Sequence, residues 1–378
     1  MEKYLERMTS RRDLLRAGGV AAFAAFIGKL IGAAKPARAQ PLSGSVPEVG
    51  RVAVRVVTDS FYSPFSPGTK LQGLQVERFA GDERDATRSS LVSEFGLSLH
   101  LESQRGGETR NFLLDFGYTA DAINKNLDQL HISPAALDAM VLSHGHYDHF
   151  GGLVGFLAKH RASLKSGIPF YVGGEECFCS RETGSGDRFR NFGVLDRKAI
   201  SEAKVNVLYA ERPTVIGGHA FTTGRIGQAS FERVLAGTRM TVGVTDGVGC
   251  FPDQLPEDRR NVKTIPDDFD HEQATCFNVS GRGLVVITSC GHRGIVNSVR
   301  RAMQVAGVQK VAAIVGGFHL APQREEYVHD TVLALKEINP DYIIPMHCTG
   351  DVFIDMVRQE MPGKFVRSYT GSRYIVSA

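Results

Sequence analysis

The stretch that decides the fold is residues 141–152, VLSHGHYDHFGG. Four side chains that commonly bind metals lie within six positions: His144, His146, Asp148 and His149. A mostly apolar run ends just before them, as a strand does, and a helical pattern follows two glycines. Ligands on a loop between a strand and a helix are held at both ends and stay open to solvent, as a catalytic metal requires. The stretch therefore predicts a metal site of imidazole and carboxylate, which suit zinc, iron or manganese.

The same order of strand, histidine-bearing loop and helix recurs near the carboxyl end of the chain. Strand-like runs precede His292, His319 and His347, and a helical pattern follows each of them. Loops at the strand ends of α/β layers are where sites are built, so we expect these imidazoles to meet the 144–149 loop. Taken singly, each has another interpretation: His292 could cap a helix, His319 could lie in the core, and His347 could donate to a backbone carbonyl.

Two motifs carry a family resemblance. HGHYDH (144–149) resembles the HxHxDH signature of the metallo-β-lactamase-fold hydrolases, and NFLLDFG (111–117) resembles that family's strand ending in an Asp-x-Gly turn. Further motifs resemble a subgroup named for a 7,8-dihydropterin-linked ribofuranosylaminobenzene 5′-phosphate synthase. These are FGLSLHLE (95–102), TTGRI (222–226), HEQA (271–274), TSCGHRGIVN (288–297), GGFHL (316–320) and MHCTG (346–350). The resemblance implies an α/β fold, a four-layer αββα sandwich with an insertion between the second and third metal motifs.

The resemblance also implies which residues bind metal. His144, His146 and His292 resemble a first site, and Asp148, His149 and His347 resemble a second. Together they imply one or two divalent metal ions. Zinc is favoured over iron or manganese because the set is rich in histidine.

The chain departs from the family at the place of the bridging aspartate. Most members carry that acid where this chain reads GGFHL, with His319 and no carboxylate. A neutral imidazole has one free lone pair and cannot bridge two cations. Either His319 serves one metal, or the site is effectively mononuclear.

Three further residues are weaker candidates, each with a structural alternative. Asp115 could accept the free N–H of a ligand imidazole, or simply form a turn with Gly117. Arg225, in TTGRI, could line the substrate pocket or hold a loop. Thr349 could help to bind a phosphate or carboxylate at the start of a helix, or could cap that helix.

The sequence also predicts the domain organisation. Residues 1–39 are interpreted as a twin-arginine signal peptide, with SRRDLL at 10–15, an apolar run and an A-x-A cleavage site at 37–39. Residues 40–50 are a linker, and residues 51–378 are the metallo-β-lactamase-fold domain. Residues 170–273 are interpreted as an insertion that partly covers the cleft. A periplasmic or secreted location follows, with the twin-arginine translocation machinery as a partner and no stable membrane span after cleavage.

Charge and cysteine content narrow the function classes. The net charge is +3, but residues 1–39 alone carry +5, which leaves 36 basic and 38 acidic residues in the remainder. No basic stripe remains, so nucleic acid is not an expected partner. The six cysteines do not form a dense disulfide framework. Cys290 and Cys348 lie near proposed ligands and are interpreted as packing residues.

The predicted function is an exported metal-dependent hydrolase of a small-molecule ester, such as a phosphoester or lactone. A bound metal lowers the pKa of water from ~15.7 to about 7, and Asp148 is the catalytic candidate that orients this nucleophile or moves its proton. Two alternatives stay open: a transferase resembling the named synthase, and an iron-bearing member of the fold with a redox or binding role.

Overall fold

The residues that this computed structural model describes, 36–81, 90–235 and 237–378, form 23 strands, and the buried ones are rich in Val, Ile, Leu and Phe. In chain order they are β1 (Ala37–Arg38), β2 (Glu48–Val49), β3 (Arg51–Thr58), β4 (Thr69–Leu71), β5 (Leu74–Glu77), β6 (Ser98–Arg105), β7 (Glu108–Leu114), β8 (Ala139–Val141), β9 (Pro169–Val172), β10 (Ser180–Ser185), β11 (Arg188–Asn191), β12 (Asn206–Tyr209), β13 (Thr214–Ile216), β14 (Ala220–Thr222), β15 (Thr238–Thr241), β16 (Gly243–Thr245), β17 (Val248–Cys250), β18 (Thr264–Pro266), β19 (Thr275–Val279), β20 (Gly283–Thr288), β21 (Val311–Gly316), β22 (Tyr342–Pro345) and β23 (Arg373–Ser377).

Seven α-helices lie in the same described residues. They are α1 (Ala120–Gln129), α2 (Tyr147–Phe150), α3 (Leu153–His160), α4 (Arg197–Glu202), α5 (Ile295–Ala306), α6 (Glu325–Ile338) and α7 (Asp351–Glu360). Helix α5 ends at Gly307 in the left-handed conformation, with φ of 66°, which glycine adopts without a steric penalty.

Two sheets contain most of the strands. The first has the order β1-β12-β9-β8-β7-β6-β3-β23-β5-β4, and β7, β8, β9 and β12 run parallel within it. The second has the path β13-β14-β19-β20-β21-β22, with β2 paired to β19, and β20, β21 and β22 run parallel. Parallel strands end at the same edge of a sheet. The loops after β7 and β8 in one sheet, and after β20 to β22 in the other, are therefore brought to common edges.

The side-chain alternation of β20 shows how the layers stack. Val285 and Ile287 belong to the core between the two sheets, whereas Leu284 and Val286 belong to a separate core shared with α5, α6 and α7. On the first sheet, a third core places α1 and α3 against its outer face. Burying each such aliphatic side chain contributes roughly 1.5–3 kcal/mol. The predicted four-layer αββα sandwich is confirmed.

The predicted insertion needs narrower bounds. Residues 170–273 include β9 and β12, which belong to the first sheet, and β13 and β14, which belong to the second. These short apolar segments were individually strand-like in sequence, but only their pairing shows that they complete the main sheets. We use "the cover" for the parts outside both sheets, residues 173–205 and 223–274, which contain β10, β11 and β15 to β18.

The predicted linker, 40–50, is not a free connection. Glu48 and Val49 form β2 against β19, and Val46 and Val49 are buried. Just before it, the A-x-A segment contributes β1, which pairs in parallel with β12. Val49 packs in the core between the two sheets, and Val46 packs in the core on the outer face of the second sheet, so this polar segment is fixed to the fold. Residues 1–35 of the predicted signal lie outside the described residues.

A search of the described residues for membrane-crossing helices finds none with enough length and apolar character.

Candidate metal centre

The candidate ligands come from loops that leave the carboxyl ends of parallel strands. The HGHYDH loop follows β8 in the first sheet, and His292, His319 and His347 follow β20, β21 and β22 in the second. Each strand is buried along its length, so the start of each loop is fixed by the core. The predicted convergence of these loops is what the structure shows.

Three imidazole rings form the first group. The ring centroids of His144 and His146 are 4.9 Å apart, those of His146 and His292 are 4.8 Å apart, and those of His144 and His292 are 4.9 Å apart. Nε2 of His146 lies 3.2 Å from the Thr238 hydroxyl, which leaves its Nδ1 for another partner. All three rings are buried.

Asp148, His149 and His347 form the second group. Oδ2 of Asp148 lies 3.1 Å from Nε2 of His347 and 3.5 Å from Nε2 of His149. The His149 and His347 ring centroids are 4.8 Å apart. The two groups adjoin, because the centroids of His144 and His149 are only 4.3 Å apart.

Several buried polar atoms in these groups have no hydrogen-bond partner among the described residues. They include Nε2 of His144, Nε2 of His149, Oδ1 of Asp148 and both ring nitrogens of His292. Leaving such an atom unpaired costs about 1–3 kcal/mol, so native structures rarely do so without a reason. These donor atoms fit divalent metal ions, which bind imidazole nitrogen and carboxylate oxygen.

The two groups differ in their electrostatics. Burial and the neighbouring imidazoles hold the pKa values of His144 and His292 well below 6.5, so both rings are neutral, which is the form that binds metals. Burial also acts to lower the pKa of His347, but Cys348 and the Asp148 carboxylate raise it to about 9. A cation that binds beside Asp148 would displace this proton.

The hydrogen bonds of Asp115 orient the ring of His149, a proposed metal ligand. The Asp115 carboxylate accepts hydrogen bonds from the Ser143 N–H at 2.8 Å and the Ser143 hydroxyl at 2.7 Å. Oδ2 also lies 2.8 Å from Nδ1 of His149, which turns Nε2 of that ring toward the second group. The turn with Gly117 is present as well, since Asp115 has a φ of 59° and Gly117 a φ of 68°.

Two more carboxylates support the loops, and sequence analysis did not assign them this role. Asp59, at the end of β3, accepts the His347 N–H at 2.9 Å. Glu272, in HEQA, accepts the N–H groups of His292 and Arg293 at 2.9 and 2.7 Å. Burial raises the pKa values of both carboxyl groups. The signal for Asp59 was its position directly after a strand; nothing in the local sequence showed which loop it holds.

Two site histidines hold their backbones in a conformation that few residues adopt. The φ angles are 47° at His319 and 53° at His347. A non-glycine residue there costs roughly 1–2 kcal/mol, and such positions cluster at functional sites.

His319 lies beside two cysteines that we interpreted as packing residues. Nδ1 of His319 is 3.5 Å from Sγ of Cys290, and the two sulfur atoms of Cys290 and Cys348 are 3.0 Å apart. The His292 and His319 ring centroids are 4.0 Å apart. Both thiols line the cavity at the centre, so the packing interpretation is incomplete. The available signal was their spacing, two residues before His292 and one after His347.

The cover forms one wall of this cavity. The ring of Phe269 stacks on His292, with centroids 3.8 Å apart, and Phe192 packs edge-on against His146 at 5.1 Å. Gly145, between the two histidines of HGH, allows the Arg181 side chain of the cover to lie close to this loop, because a Cβ at residue 145 would lie 2.5 Å from Nη1 of Arg181. A cavity of about 180 Å³ remains, lined by both groups and the cover, and a second of about 390 Å³ adjoins it at Phe95, His319 and Cys348.

The two weaker candidates lie in different places. Thr349 lines the larger cavity, but its hydroxyl donates to the Met346 carbonyl at 2.7 Å and accepts the Phe318 N–H at 3.1 Å. Arg225 lines a separate cavity of about 500 Å³ and pairs with Asp270 at 3.2 Å. It lines neither cavity at the metal centre.

Comparisons with known proteins indicate the fold of the chain and its distant relatives. The family model of the metallo-β-lactamase superfamily matches residues 104–169, which include HGHYDH. A curated relative, 7,8-dihydropterin-6-methyl-4-(beta-D-ribofuranosyl)-aminobenzene-5'-phosphate synthase of Methanocaldococcus jannaschii, is 27% identical over 286 residues, which span 75% of this chain and 90% of the relative. An uncharacterized protein of the same organism is 24% identical over 263 residues, 69% of this chain and 87% of that protein.

A solved structure resembles the whole described fold. The crystal structure of a metal-dependent hydrolase of the β-lactamase superfamily superposes with a TM-score of 0.62 and 23% identity. The match covers 86% of this chain and 100% of that protein. With two packed sheets, outer helices and the histidine loops at one edge, this chain has the fold of the metallo-β-lactamase superfamily.

Proposed function

We propose that this protein is a metal-dependent hydrolase that cleaves a small ester-type substrate, such as a phosphoester or lactone. One observation carries the proposal: buried imidazoles from loops on both sheets meet around Asp148 with unpartnered nitrogen atoms. One or two divalent ions fit these donors, with zinc favoured. A bound ion would polarise a substrate oxygen and lower the pKa of water.

The chain's own residues divide the remaining work. His144, His146 and His292 are proposed to hold one ion, and Asp148, His149 and His347 the other. Asp148 is held by His347 through Oδ2, while its Oδ1 has no partner among the described residues and can orient water or take its proton. Asp115, Asp59 and Glu272 keep the ligand loops in place through the hydrogen bonds above.

The cavities support a small substrate with an apolar part. Phe95, Phe192 and Phe269 line the smaller cavity beside the imidazoles, and they offer flat apolar surfaces. Water excluded by such walls strengthens the electrostatic interactions of groups inside the site. We propose that the cover contributes to substrate choice through Phe192 and Phe269.

The test is a hydrolysis panel with metal-replete protein. Phosphodiesters, phosphomonoesters, lactones, thioesters and β-lactams are offered, before and after a chelator. We expect one class to be cleaved, chelation to abolish cleavage, and Asp148→Asn to lower kcat/KM by roughly 10²–10⁴-fold. If the metal-replete protein cleaves none of these, the hydrolase proposal is wrong.

A second candidate rests on the named relative. The match to the curated synthase covers most of this chain, so we also propose a test of a synthase-like transfer. In it, the amine of a ribofuranosylaminobenzene 5′-phosphate would displace a leaving group, such as diphosphate, from the 6-methyl carbon of an activated dihydropterin and lose its proton to solvent. Both compounds are offered together to metal-replete protein, and the coupled product is sought by mass spectrometry. Coupling without hydrolysis of the panel would favour this candidate over the first.

Export is a further proposal. It rests on SRRDLL and the A-x-A segment, and it is supported by a disulfide between Cys179 and Cys250, since such bonds persist in oxidising compartments. Cleavage after Ala39 would remove β1 from β12. We expect the wild-type protein, expressed from the full-length sequence, in the periplasmic fraction. The double variant Arg11→Lys with Arg12→Lys should stay in the cytoplasm. The same distribution of wild type and double variant between the two fractions would contradict export. The intact mass then shows whether β1 is retained.

A further inference from the structure

Among the described residues, the sulfur atom of Cys290 is the donor common to three candidate metal-binding groups. Sγ of Cys290 lies within 4.8 Å of donor atoms on His144 and His292, and equally within 4.8 Å of donor atoms on His149 and His347. The same limit holds toward His319 and Cys348. Cys290 is therefore positioned between the two proposed cation sites, with its side chain buried.

The surrounding atoms point to a ligand at this position. Nε2 of His144, Nε2 of His149 and both nitrogens of His292 are buried without a hydrogen-bond partner among the described residues. Zinc binds imidazole nitrogen at about 2.0–2.1 Å and thiolate sulfur at about 2.3 Å, so its ligand atoms lie roughly 3–4 Å apart. Donor atoms that lie within 4.8 Å of one another approach that spacing.

The chemistry of the loops explains why sulfur would be needed. A shared ligand must offer a lone pair to each of two cations, which a carboxylate or thiolate can do and a neutral imidazole cannot. The loop after β21, GGFHL, contains no acid that could act as such a shared ligand. Its His319 lies beside Cys290, with Nδ1 3.5 Å from Sγ. Asp148 is already held by His347.

We propose that the Cys290 thiolate is a shared ligand of the two cation positions. This rests on the metal centre of the proposed function, and not on which bond that centre cleaves. On binding, the S–H bond breaks, the proton leaves to solvent, and the sulfur lone pairs are donated to the ions. A sulfur donor selects zinc, cobalt or iron over magnesium, calcium and manganese.

Cys348 has a different role. Its Sγ accepts the His319 N–H at 3.3 Å and lies 3.4 Å from the Cys290 carbonyl, so the neighbouring backbone already holds it. Its sulfur lies 3.0 Å from the Cys290 sulfur. Cys348→Ala is therefore the matched control for Cys290→Ala, since both remove one buried thiol from the same cavity.

The first experiment uses full-length protein loaded with cobalt(II), whose near-ultraviolet charge-transfer band reports thiolate coordination. We expect the band in the wild type and in Cys348→Ala, and its loss in Cys290→Ala. We also expect Cys290→Ala to bind the second equivalent of metal at least about 10-fold more weakly. Persistence of the band in Cys290→Ala, its loss in Cys348→Ala alone, or its absence from the wild type would overturn the proposal.

The second experiment needs no variant and covers the case in which Cys290→Ala does not fold. X-ray absorption of the zinc-loaded wild type should show a sulfur shell at about 2.3 Å in addition to nitrogen and oxygen. A shell of nitrogen and oxygen alone would overturn the proposal. Neither measurement uses turnover, so a failed hydrolysis panel and a failed sulfur ligand give different results.

Discussion

The candidate metal centre and the cover both bury polar side chains, but these side chains differ in how fully they are hydrogen-bonded. At the centre, imidazole nitrogens and one carboxylate oxygen have no hydrogen-bond partner among the described residues. In the cover, the Arg181 side chain is 1% exposed yet donates to Asp267, to the carbonyls of Glu176 and Cys179, and toward Nε2 of His271.

A second cover cluster is equally complete. Glu175 is bonded by the Arg197 guanidinium, the Tyr209 hydroxyl and the Phe251 N–H. Self-satisfied buried charges hold a structure together, whereas unsatisfied donors indicate that something else completes them. These two clusters of the cover are therefore finished supports, whereas the unpartnered donors at the candidate centre are the kind that a bound ion would satisfy.

The largest stability effect should come from breaking the cover's central ion pair. Burial raises the pKa of Asp267, but the Arg181 guanidinium holds it at about 2, so Asp267 is charged at neutral pH. Arg181→Met would leave that charge buried and unpaired, and should lower the free energy of unfolding by about 3–5 kcal/mol in urea titrations. The control, Arg239→Met, removes a half-exposed pair with Glu182 and should cost at most about 1 kcal/mol. Equal losses of stability in Arg181→Met and Arg239→Met would contradict the special role of the buried ion pair.

The cover's disulfide should give the next effect. Cys179 and Cys250 are 71 positions apart, so the bond restricts the unfolded chain, and Cys179→Ser with Cys250→Ser should cost about 2–4 kcal/mol. The amount of metal bound should stay unchanged, because neither sulfur is at the centre. Reduced wild type, measured by the same thermal unfolding, should match the double variant; a large loss of metal would contradict the separation of the two regions.

Asp115→Asn should act on the centre instead. An amide cannot accept from Ser143 and His149 as the carboxylate does, so metal affinity should fall roughly 10–100-fold by competition with a chelating dye. Asp138→Asn is the matched control, since Asp138 accepts from Asn111 and Lys165 away from the site. A weaker metal affinity in the control, equal to that of Asp115→Asn, would show that the effect is not specific.

The smallest effect concerns a half-buried histidine, His100, outside both regions. Burial, opposed by Glu102, holds the pKa of His100 at about 4, below its ordinary 6.5. The unfolded chain takes up this proton first, so the stability from a neutral His100 is present above pH 6.5 and is lost as the pH falls toward 4. His100→Gln should flatten the pH dependence of unfolding by about 1–2 kcal/mol between pH 7 and 5. An unchanged slope would contradict this.

Much of the fold could be predicted because it depends on local patterns. The strand before HGHYDH, the buried run of β20 and the helices after His292 and His319 are visible as short apolar periodicities. Long-range pairing is not visible in this way. The joining of β9 and β12 to the first sheet, and of β2 to β19, depends on contacts between segments far apart in sequence.

The candidate site likewise contains residues that local patterns predict and partners that they do not. Histidines directly after strands could be predicted, because strand ends meet at one edge of a sheet. The partners that hold them could not: Glu272 reaches His292, and Asp59 reaches His347, across long sequence separations. Cys290 is small and apolar in character, so only its distance to both groups distinguishes it from a packing residue.

Elemental analysis of metal per chain tests the central account most directly. The wild type, loaded with zinc and dialysed, is compared with His292→Ala, His347→Ala and His160→Ala, where the His160 ring contacts Asn124 and Phe156 away from the centre. We expect about two equivalents in the wild type and in His160→Ala, and at most about one in each of the other two. No bound metal in the wild type, or wild-type content in both His292→Ala and His347→Ala, would contradict a cation centre built from both sheets.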